Sequence, residues 1–382
     1  MAFGLYLHWP YCESKCPYCD FNSHVADHID HERWIAAYRA EIARVAADHP
    51  DEILQTIFFG GGTPSLMKPA VVEAVIQAAT STWRTGNQVE ISMEANPGSV
   101  EADRFKAYRD AGVNRVSLGI QSLEDAHLRL LGRKHDSKDA LRAIEIAQNT
   151  FDRVNIDFIY ARQNQTPAQW EAELTKAIGL GTTHMSLYQL TIEDGTVFGR
   201  RHEAGQLRGL PDEDHSVEMF HLTQELCSSA GLLPYEVSNH ARPGDECRHN
   251  MIYWSGGRYA GIGPGAHGRV GAGANRVATE AIKSPALWLE AVEKRGSGEL
   301  PVIALSHEDQ TEEMILMGLR LSTGITLERM EEAGLKLDKW ASMHDMIASG
   351  HLKIENHALK ATAEGRLLLN MVISRLVMDL PF

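Results

Sequence analysis

Long apolar runs and pairable cysteines are both scarce in this chain of 382 residues. No stretch stays apolar for the about eighteen residues that a membrane span needs, and no basic segment leads into an apolar one near Met1. We therefore expect neither a membrane span nor a signal peptide. Five cysteines, three of them close together, are poor material for a disulfide framework. These absences favour a cytoplasmic protein in a reducing compartment.

Basic residues are also in deficit. The chain has 37 lysines and arginines against 51 aspartates and glutamates, which gives a net charge of −14 with neutral histidines. A protein that binds nucleic acid in bulk needs a basic face, so we expect no nucleic-acid partner. A local positive pocket for an anionic ligand stays compatible with this balance.

Short β-rich segments alternate with segments of helical periodicity over the first half of the chain. This alternation predicts a parallel sheet, either open or closed into a barrel. The predicted strands are Gly4–Pro10, Thr56–Gly60, Glu90–Ala95, Arg115–Gln121, Arg153–Tyr160 and His184–Ile192. The predicted helices between them are Trp34–Ile42, Val71–Ala79, Ala102–Ala111, Ala140–Gln148 and Trp170–Ile178.

The predicted strands after the first are apolar until their last residues and then become polar or glycine-rich. Phe59 leads into a glycine run, Met93 into Glu94, and Ile120 into Gln121. Parallel strands carry their functional groups at their carboxyl ends. We therefore expect one polar rim, which the loop after the first strand would join.

The pattern changes after about residue 212, where longer loops and helices replace the alternation. The glycine-rich segment Gly268–Ala274 is a plausible boundary, so we divide the chain into residues 1–270, the barrel part, and 271–382, an α-rich module. Helices followed by a hairpin at Gly350–Ile354 and Ala358–Lys360 suggest a winged-helix-like arrangement in that module.

Cys12, Cys16 and Cys19 form the clearest candidate metal site. Thiolates favour zinc and iron–sulfur clusters, and three of them would leave one iron of a four-iron cluster open to a small molecule. One alternative is structural zinc with His8 or His24 as the fourth ligand. Inert buried thiols are another.

A second set of residues supplies the polar groups that an amino acid joined to a nucleoside needs. The run Gly60–Pro64 brings backbone close to a ligand. An arginine can hold a carboxylate, and acidic side chains can accept from an amine or from ribose hydroxyls. Each residue alone is most simply a surface ion pair or a helix cap. The candidates are Glu94, Gln121, Arg133 and Asp157.

The cysteine spacing, with the aromatic Tyr18 before the last cysteine, resembles the signature of the radical S-adenosylmethionine superfamily. The resemblance implies a partial (β/α)6 barrel in which the three cysteines hold a [4Fe–4S] cluster and S-adenosylmethionine binds its open iron. It also implies a set of residues that line the S-adenosylmethionine site. These are Tyr6, Tyr18, Gly61, Gly62, Thr63, Glu94, Gln121, Arg133 and Asp157.

Within that superfamily almost the whole chain is similar to the oxygen-independent coproporphyrinogen III oxidases and to their relatives, the HemW family of heme chaperones. The oxidases have a fourth cysteine where Phe21 stands, and they have an extra segment before the first strand that we do not find here. The motif His249-Asn250-Met-Ile-Tyr253-Trp254 matches the HNxxYW motif associated with heme binding in the chaperones. By this resemblance His249 would ligate heme, His267 is a weaker candidate, and Cys247 is expected to be inert.

The resemblance therefore implies a heme chaperone that delivers heme to acceptor proteins, expected to be respiratory, and that depends on an electron donor. The alternatives are oxidative decarboxylation of coproporphyrinogen III and a structural zinc protein. We assign no catalytic residue. A homodimer and a transient contact with a membrane protein are left open. One departure from the family pattern is the turn Ala161-Arg162-Gln163-Asn164, which lacks the usual glycine and proline and puts the geometry beside Asp157 in doubt.

Overall fold

The computed structural model describes residues 2–382, and a mainly parallel sheet organises them. Its strands lie in the order β12-β11-β10-β9-β1-β2-β3-β4-β5-β6-β8-β7. The strands from β9 to β6 in this order run parallel, and the outer strands on both sides are antiparallel. The bounds are β1 Phe3–Trp9, β2 Ile53–Gly61, β3 Arg84–Ala95, β4 Arg115–Gln121, β5 Arg153–Tyr160, β6 His184–Gln189, β7 Leu233–Pro234, β8 Asn239–Ala241, β9 Arg258–Ile262, β10 His267–Val270, β11 Val277–Glu280 and β12 Ile303–Ala304.

Most of the helices between residues 31 and 295 pack on the outer face of this sheet, whereas α9 lines a cavity on its inner face. Their ends follow local sequence signals: Pro69 begins α2, and Asp136 and Thr166 form capping boxes at α5 and α6. The bounds are α1 His31–Asp48, α2 Pro69–Thr82, α3 Ala102–Asp110, α4 Asp125–Leu130, α5 Ser137–Thr150, α6 Pro167–Gly179, α7 Val197–Glu203, α8 Glu213–Ser229, α9 Arg248–Trp254 and α10 Pro285–Arg295. The predicted α/β fold with a partial barrel is confirmed.

Strand β1 shows how the sheet separates its two faces. Leu5, Leu7 and Trp9 are buried in the core between sheet and helices, where Trp9 packs edge-on against Trp34 of α1. Tyr6, between the two leucines, lines a cavity inside the barrel. Alternate residues of a strand point to opposite faces, so one face stabilises the fold and the other is free to form a site.

The C-terminal residues form a second hydrophobic core. It contains Met314, Trp340 and Leu376, and the indole Nε1 of Trp340 donates to the Leu376 carbonyl at 3.2 Å. A three-stranded antiparallel sheet in the order β13-β15-β14 packs with its helices and includes the predicted hairpin. The bounds are α11 His307–Gly318, β13 Ile325–Thr326, α12 Leu327–Glu332, α13 Ala341–Ala348, β14 Leu352–Glu355, β15 Ala358–Ala361, α14 Ala363–Leu367 and α15 Leu369–Val377.

The predicted boundary between residues 270 and 271 lies in the turn between β10 and β11, which pair with each other. Helix α10 contributes Trp288 to the first core, whereas the second core starts at Met314. The division at 270 and 271 stays a prediction. Across residues 2–382 no helix is both long enough and apolar enough to span a membrane.

Candidate functional site

A polar cavity of about 230 Å³ lies inside the barrel. It brings together four of the predicted cofactor-binding residues, namely Tyr6, Glu94, Asp157 and His249. The cavity therefore joins the predicted cofactor residues to the motif helix α9. Its other lining residues are Phe58, Arg115, Ser117, Asn155, Ser186, Tyr188, Asn250 and Tyr253.

The parallel register explains why so many polar side chains meet there. Glu94 of β3 lies beside Ser117 of β4, and Ser117 lies beside Asn155 of β5. Asp157, the next residue of β5 on the same face as Asn155, lies beside Ser186 of β6. Neighbours in register share a face, so these residues form layers on the inner face of the sheet.

Two buried carboxyl groups dominate the electrostatics of the cavity. Burial, together with the nearby charge of Asp157, raises the pKa of Glu94 to about 8. Burial also raises the pKa of Asp157, although hydrogen bonds from Ser117 and Asn155 oppose that shift. Glu94 is thus largely protonated at neutral pH, and a cationic partner would favour its ionised form.

The glycine run after β2 fixes the backbone beside Glu94. The Gly61 N–H donates to Glu94 Oε2 at 3.1 Å, and Gly61 has φ of +108° with the His8 ring 2.6 Å from the position of a Cβ. A Cβ on Gly62 would lie 2.7 Å from the Tyr11 carbonyl oxygen. Only glycine fits these positions, because the backbone of the run packs directly against the His8 ring and the Tyr11 carbonyl.

The cysteine loop packs onto this run and onto Arg133. Thr63 Oγ1 donates to Cys12 Sγ at 3.3 Å, and Arg133 Nη1 donates to Cys16 Sγ at 3.4 Å. Arg133 Nη1 also lies 3.4 Å from the Tyr18 hydroxyl. The thiols are half-buried, and burial raises the pKa of Cys12 and of Cys19. The loop thus places predicted cluster ligands against predicted S-adenosylmethionine residues.

The three thiols of the cysteine loop do not converge on one point. Among residues 2–382 no three side chains of His, Cys, Asp or Glu converge closely enough to hold a single metal ion. Both ring nitrogens of His8 have partners, Tyr6 at 3.1 Å and the Asn22 carbonyl at 2.9 Å. His24 Nε2 lies 3.1 Å from Asn22 Oδ1. A four-iron cluster binds each thiolate through a different iron, so the three sulfurs need not meet at one point.

The unusual turn after β5 contacts the backbone of Gln121. Gln121 has φ of 67°, and its carbonyl accepts from Arg162 Nη1 at 3.0 Å. The buried guanidinium of Arg162 also forms an ion pair with Glu173 of α6. Ala161 and Asn164 take left-handed conformations, with φ of 55° and 60°. The turn therefore adopts the left-handed backbone conformation, which usually favours glycine, at residues that are not glycine.

The motif His249–Trp254 lies in helix α9, which packs against β1, β2 and β9 and reaches Glu90 of β3. His249 Nδ1 lies 2.6 Å from Thr56 Oγ1, and Nε2 lies 2.6 Å from the Tyr253 hydroxyl. The His249 N–H donates to Glu90 Oε1 at 3.0 Å. Burial, with a contribution from Arg115, lowers the pKa of His249 to about 3, so its imidazole is neutral at physiological pH.

Comparison with known proteins places this site in a family. Residues 6–177 match the model of the Radical SAM superfamily, and residues 305–368 match that of the HemN C-terminal domain. The heme chaperone HemW of Mycobacterium tuberculosis H37Rv is 34% identical over 98% of this chain and 95% of its own length. The chain belongs to the HemW family of radical SAM proteins.

Other relatives agree with this assignment. HemW of Escherichia coli K12 is 41% identical over 70% of each chain. The mitochondrial radical S-adenosyl methionine domain-containing protein 1 of Danio rerio is 34% identical over 99% of this chain and 87% of its own. The structure of the E. coli coproporphyrinogen III oxidase HemN superposes with a TM-score of 0.82 at 21% identity, covering 98% of this chain and 89% of that one. That likeness shows a shared fold.

Membership of the radical SAM superfamily implies a [4Fe–4S] cluster and S-adenosylmethionine. The residues that the sequence predicts for the cofactor lie in different parts of the site. Tyr6, Glu94 and Asp157 line the cavity, whereas Thr63 and Arg133 contact the cysteine loop, which contains Tyr18. Gly61 and Gly62 precede Thr63, and Gln121 contacts the turn after β5. Individual ligand roles stay predictions.

Sequence reasoning missed several cavity residues of this HemW relative. Arg115, Asn155 and Ser186 face the cavity from the middle or the start of strands, whereas only the strand ends were searched. These residues could have been predicted, because polar residues occupy alternate positions of otherwise apolar strands, as in Arg115-Val-Ser117. The motif helix was also missed, although His249 and Tyr253 have i, i+4 spacing.

Proposed function

We propose that this chain is a cytoplasmic heme chaperone that binds heme, a [4Fe–4S] cluster and S-adenosylmethionine and delivers heme to acceptor proteins. The observation that carries the proposal is its similarity to a heme chaperone over 98% of this chain and 95% of the relative. The cavity supports it, because it brings the HNxxYW helix and the predicted cofactor residues together.

Cys12, Cys16 and Cys19 would hold the cluster, since three cysteines in one half-buried loop form a thiolate donor set that suits iron and sulfide. When bound, the cluster and S-adenosylmethionine supply one-electron chemistry, for which an electron donor is needed. The chain's own contribution is to position groups. Glu94, which accepts from the Gly61 N–H, would accept from the amine of S-adenosylmethionine, and Arg133 links the cysteine loop to the Gly119 carbonyl at 3.0 Å.

His249 is the residue we propose for heme. Its imidazole is neutral, and in the tautomer with a proton on Nδ1 it donates to Thr56, which is the support that a ligating histidine usually has. Iron coordination through Nε2 requires the Tyr253 hydroxyl to move away. The cavity of about 230 Å³ is smaller than usual pockets for drug-sized ligands, so whole-heme binding there also requires α9 to shift.

Titration with heme, followed in the Soret band, tests this site. We expect saturable binding to the wild-type protein and loss of the axial-ligand spectrum in His249→Ala. His267→Ala tests the weaker candidate ligand, which is exposed on β10. Unchanged spectra in His249→Ala with a changed spectrum in His267→Ala would move the heme site to His267.

Anaerobic reconstitution tests the cluster. The wild-type protein should turn brown with about four irons and four sulfides per chain, and the variant Cys12→Ala/Cys16→Ala/Cys19→Ala should stay colourless. Zinc without sulfide in the wild-type protein would support the structural-zinc alternative instead. Cys247→Ala is the control, because this cysteine is fully buried beside Glu90.

Delivery is tested by mixing heme-loaded chaperone with a heme-free acceptor. The acceptors we propose are heme-dependent respiratory proteins. Heme should move to the acceptor faster than free heme binds in the presence of a competing heme scavenger. Equal rates would argue against chaperone activity and leave only heme storage.

Oxygen-independent coproporphyrinogen III oxidation is the second candidate function, because the fold is shared with the E. coli oxidase. An anaerobic assay of the reconstituted protein with S-adenosylmethionine, reductant and coproporphyrinogen III separates the two. We expect no turnover to protoporphyrinogen IX. Catalytic turnover would replace the chaperone proposal with the enzyme.

A further inference from the structure

Arg115 is a buried cation that faces the cavity without a protein partner. It begins β4 and is 3% exposed, and it lines the cavity. Within residues 2–382 no hydrogen bond or ion pair joins its guanidinium to another group of the protein. A guanidinium carries five N–H donors. Those of Arg115 border the cavity, so a ligand that enters it can reach them.

The nearest acids are already occupied by other donors. Asp157 accepts from Ser117 Oγ at 3.1 Å and from Asn155 Nδ2 at 2.6 Å. Glu90 pairs with Arg153 at 2.6 Å and accepts the His249 N–H at 3.0 Å. Both acids act on Arg115 through space without bonding to it. The donors of Arg115 are therefore available to an anion that enters the cavity.

We propose that Arg115 binds the carboxylate of a ligand that enters the barrel. Carboxylates match the planar fork of a guanidinium, which can hold both oxygens at once. Asn250, on the motif helix, brings a side-chain amide to the same cavity, and Tyr188 stands half-exposed at its margin. The site differs from Arg133, which contacts the cysteine loop and the Gly119 carbonyl.

The volume limits what can reach Arg115. About 230 Å³ suits a carboxylate on a short aliphatic arm but not a whole macrocycle. A propionate arm of heme is one source of that carboxylate, and this reading rests on the proposed heme-chaperone function. A free short-chain carboxylic acid is the other source. Both place the same chemical group on the same guanidinium.

Heme and its dimethyl ester distinguish the sources. The ester keeps the macrocycle and iron but lacks carboxylates. We expect the wild-type protein to prefer heme over the ester about tenfold or more, since a charge-assisted hydrogen bond is lost. Arg115→Met should bind both equally, Arg115→Lys should regain part of the preference, and Arg142→Met, at an exposed arginine of α5, should behave as wild type.

Propionate is the probe for the second source. If it raises the melting temperature of the wild-type protein above a sodium chloride control but not that of Arg115→Met, while heme and ester bind alike, the carboxylate is a free acid. If neither the heme preference nor the propionate effect depends on Arg115, the proposal is wrong. Absence of any heme binding to wild type would overturn the chaperone function, and the propionate comparison would still decide the carboxylate site.

Stability of the ligand-free variants controls for folding. Glu90 and Asp157 attract the Arg115 charge through space, so ligand-free Arg115→Met should melt below the wild-type temperature, whereas Arg115→Lys keeps the charge and should melt closer to it. Binding is therefore compared at a temperature at which both variants are folded. Failure of a folded Arg115→Lys to regain any preference for heme, or an unchanged preference in folded Arg115→Met, would overturn the proposal.

Discussion

Glu94 links burial to cofactor binding at the scale of a single residue. Its pKa of about 8 means that it is mostly protonated at neutral pH when no ligand is bound. The positive charge of bound S-adenosylmethionine, whose sulfonium is permanent, favours the carboxylate, so its binding should release a proton. The affinity should rise up to about tenfold per pH unit below pH 8 and level off above it.

Calorimetry of cluster-reconstituted protein at pH 7, in two buffers with different ionisation enthalpies, measures this proton. Glu94→Gln keeps the shape of the side chain but has no proton to release. It should bind more weakly and show no buffer dependence beyond that of the ligand. A wild-type protein that releases no more protons than Glu94→Gln would contradict the prediction.

Tyr253 makes a second prediction possible at this scale. Its hydroxyl occupies His249 Nε2, the nitrogen that heme iron would need. Tyr253→Phe removes this competing bond and leaves Nε2 buried without a partner, so heme affinity should rise about fivefold. Soret titration of both proteins measures the change. Weaker or unchanged binding would argue against coordination through Nε2, with Tyr259→Phe as the control for loss of a neighbouring hydroxyl.

Residues were predictable where their type and spacing carried the signal. The cysteine triplet and the glycine run were visible in the sequence, and the close contacts of Gly61 and Gly62 explain why no other residue fits there. Arg115 was not visible, because a lone arginine at the start of a strand usually lies in solvent. Only the register of β3, β4 and β5 turns it toward the cavity.

The turn after β5 is the element for which the sequence raised a doubt that the structure addresses. The family glycine and proline are missing, yet Ala161 and Asn164 adopt the left-handed backbone. Arg162 fills the space behind the turn and ties it to Gln121 and to Glu173. The buried ion pair of Arg162 with Glu173 thus stabilises the conformation of this turn, in place of a glycine.

Replacement of Arg162 tests this ion pair. Arg162→Met leaves Glu173 buried with an unpaired charge, so the free energy of unfolding should fall by about 3–5 kcal/mol. Affinity for S-adenosylmethionine should fall as well, because the Gln121 carbonyl loses its donor. Urea unfolding and calorimetry measure the two effects.

The matched control is Lys176→Met. Lys176 lies on α6, as Glu173 does, and forms an exposed ion pair with Glu124. This replacement should lower stability by less than about 1 kcal/mol. If Arg162→Met were as mild as this control, the pair would not hold the turn. If stability fell without any change in cofactor affinity, its link to the Gln121 position would be wrong.

Elements were predictable when their periodicity was long and regular. The predicted helices correspond to α1, α2, α3, α5 and α6, and the predicted strands to β1–β6, although α1 ends six residues later and β3 begins six residues earlier than predicted. The short helix α4 and the parallel strand β9 were missed. The region from β7 to β10 was read as strand and loop without the short helix α9. Seven residues make only two turns, and tertiary contacts such as that of His249 with Thr56 hold them in place.

At the scale of the whole molecule, the C-terminal module meets the barrel at the motif helix. Arg320, just beyond α11, forms an ion pair with Glu236 at 2.6 Å, and Glu236 is 1% exposed. The same guanidinium lies 4.9 Å from the ring centre of Trp254, the last residue of α9. No periodicity in the sequence predicts this contact, because it joins segments about sixty residues and more apart.

This contact predicts that the C-terminal module stabilises α9. Arg320→Met should lower the free energy of unfolding by about 3 kcal/mol, because it leaves Glu236 buried without its cation and removes the cation–π contact. Since α9 then loses support from Trp254, hydrogen exchange at His249 and Tyr253 should speed up relative to the strands. Denaturant unfolding and hydrogen exchange with mass spectrometry measure these effects.

Lys106→Met is the control, because the ion pair of Lys106 with Asp110 is exposed and lies far along the chain from α9. Lys106→Met should change the free energy of unfolding by less than about 0.5 kcal/mol. It should leave hydrogen exchange in α9 unchanged. Faster exchange in Arg320→Met that is confined to the C-terminal core would show that the module stabilises itself alone. Faster exchange in α9 would show that the module stabilises the helix that carries His249, through the contact of Arg320 with Trp254.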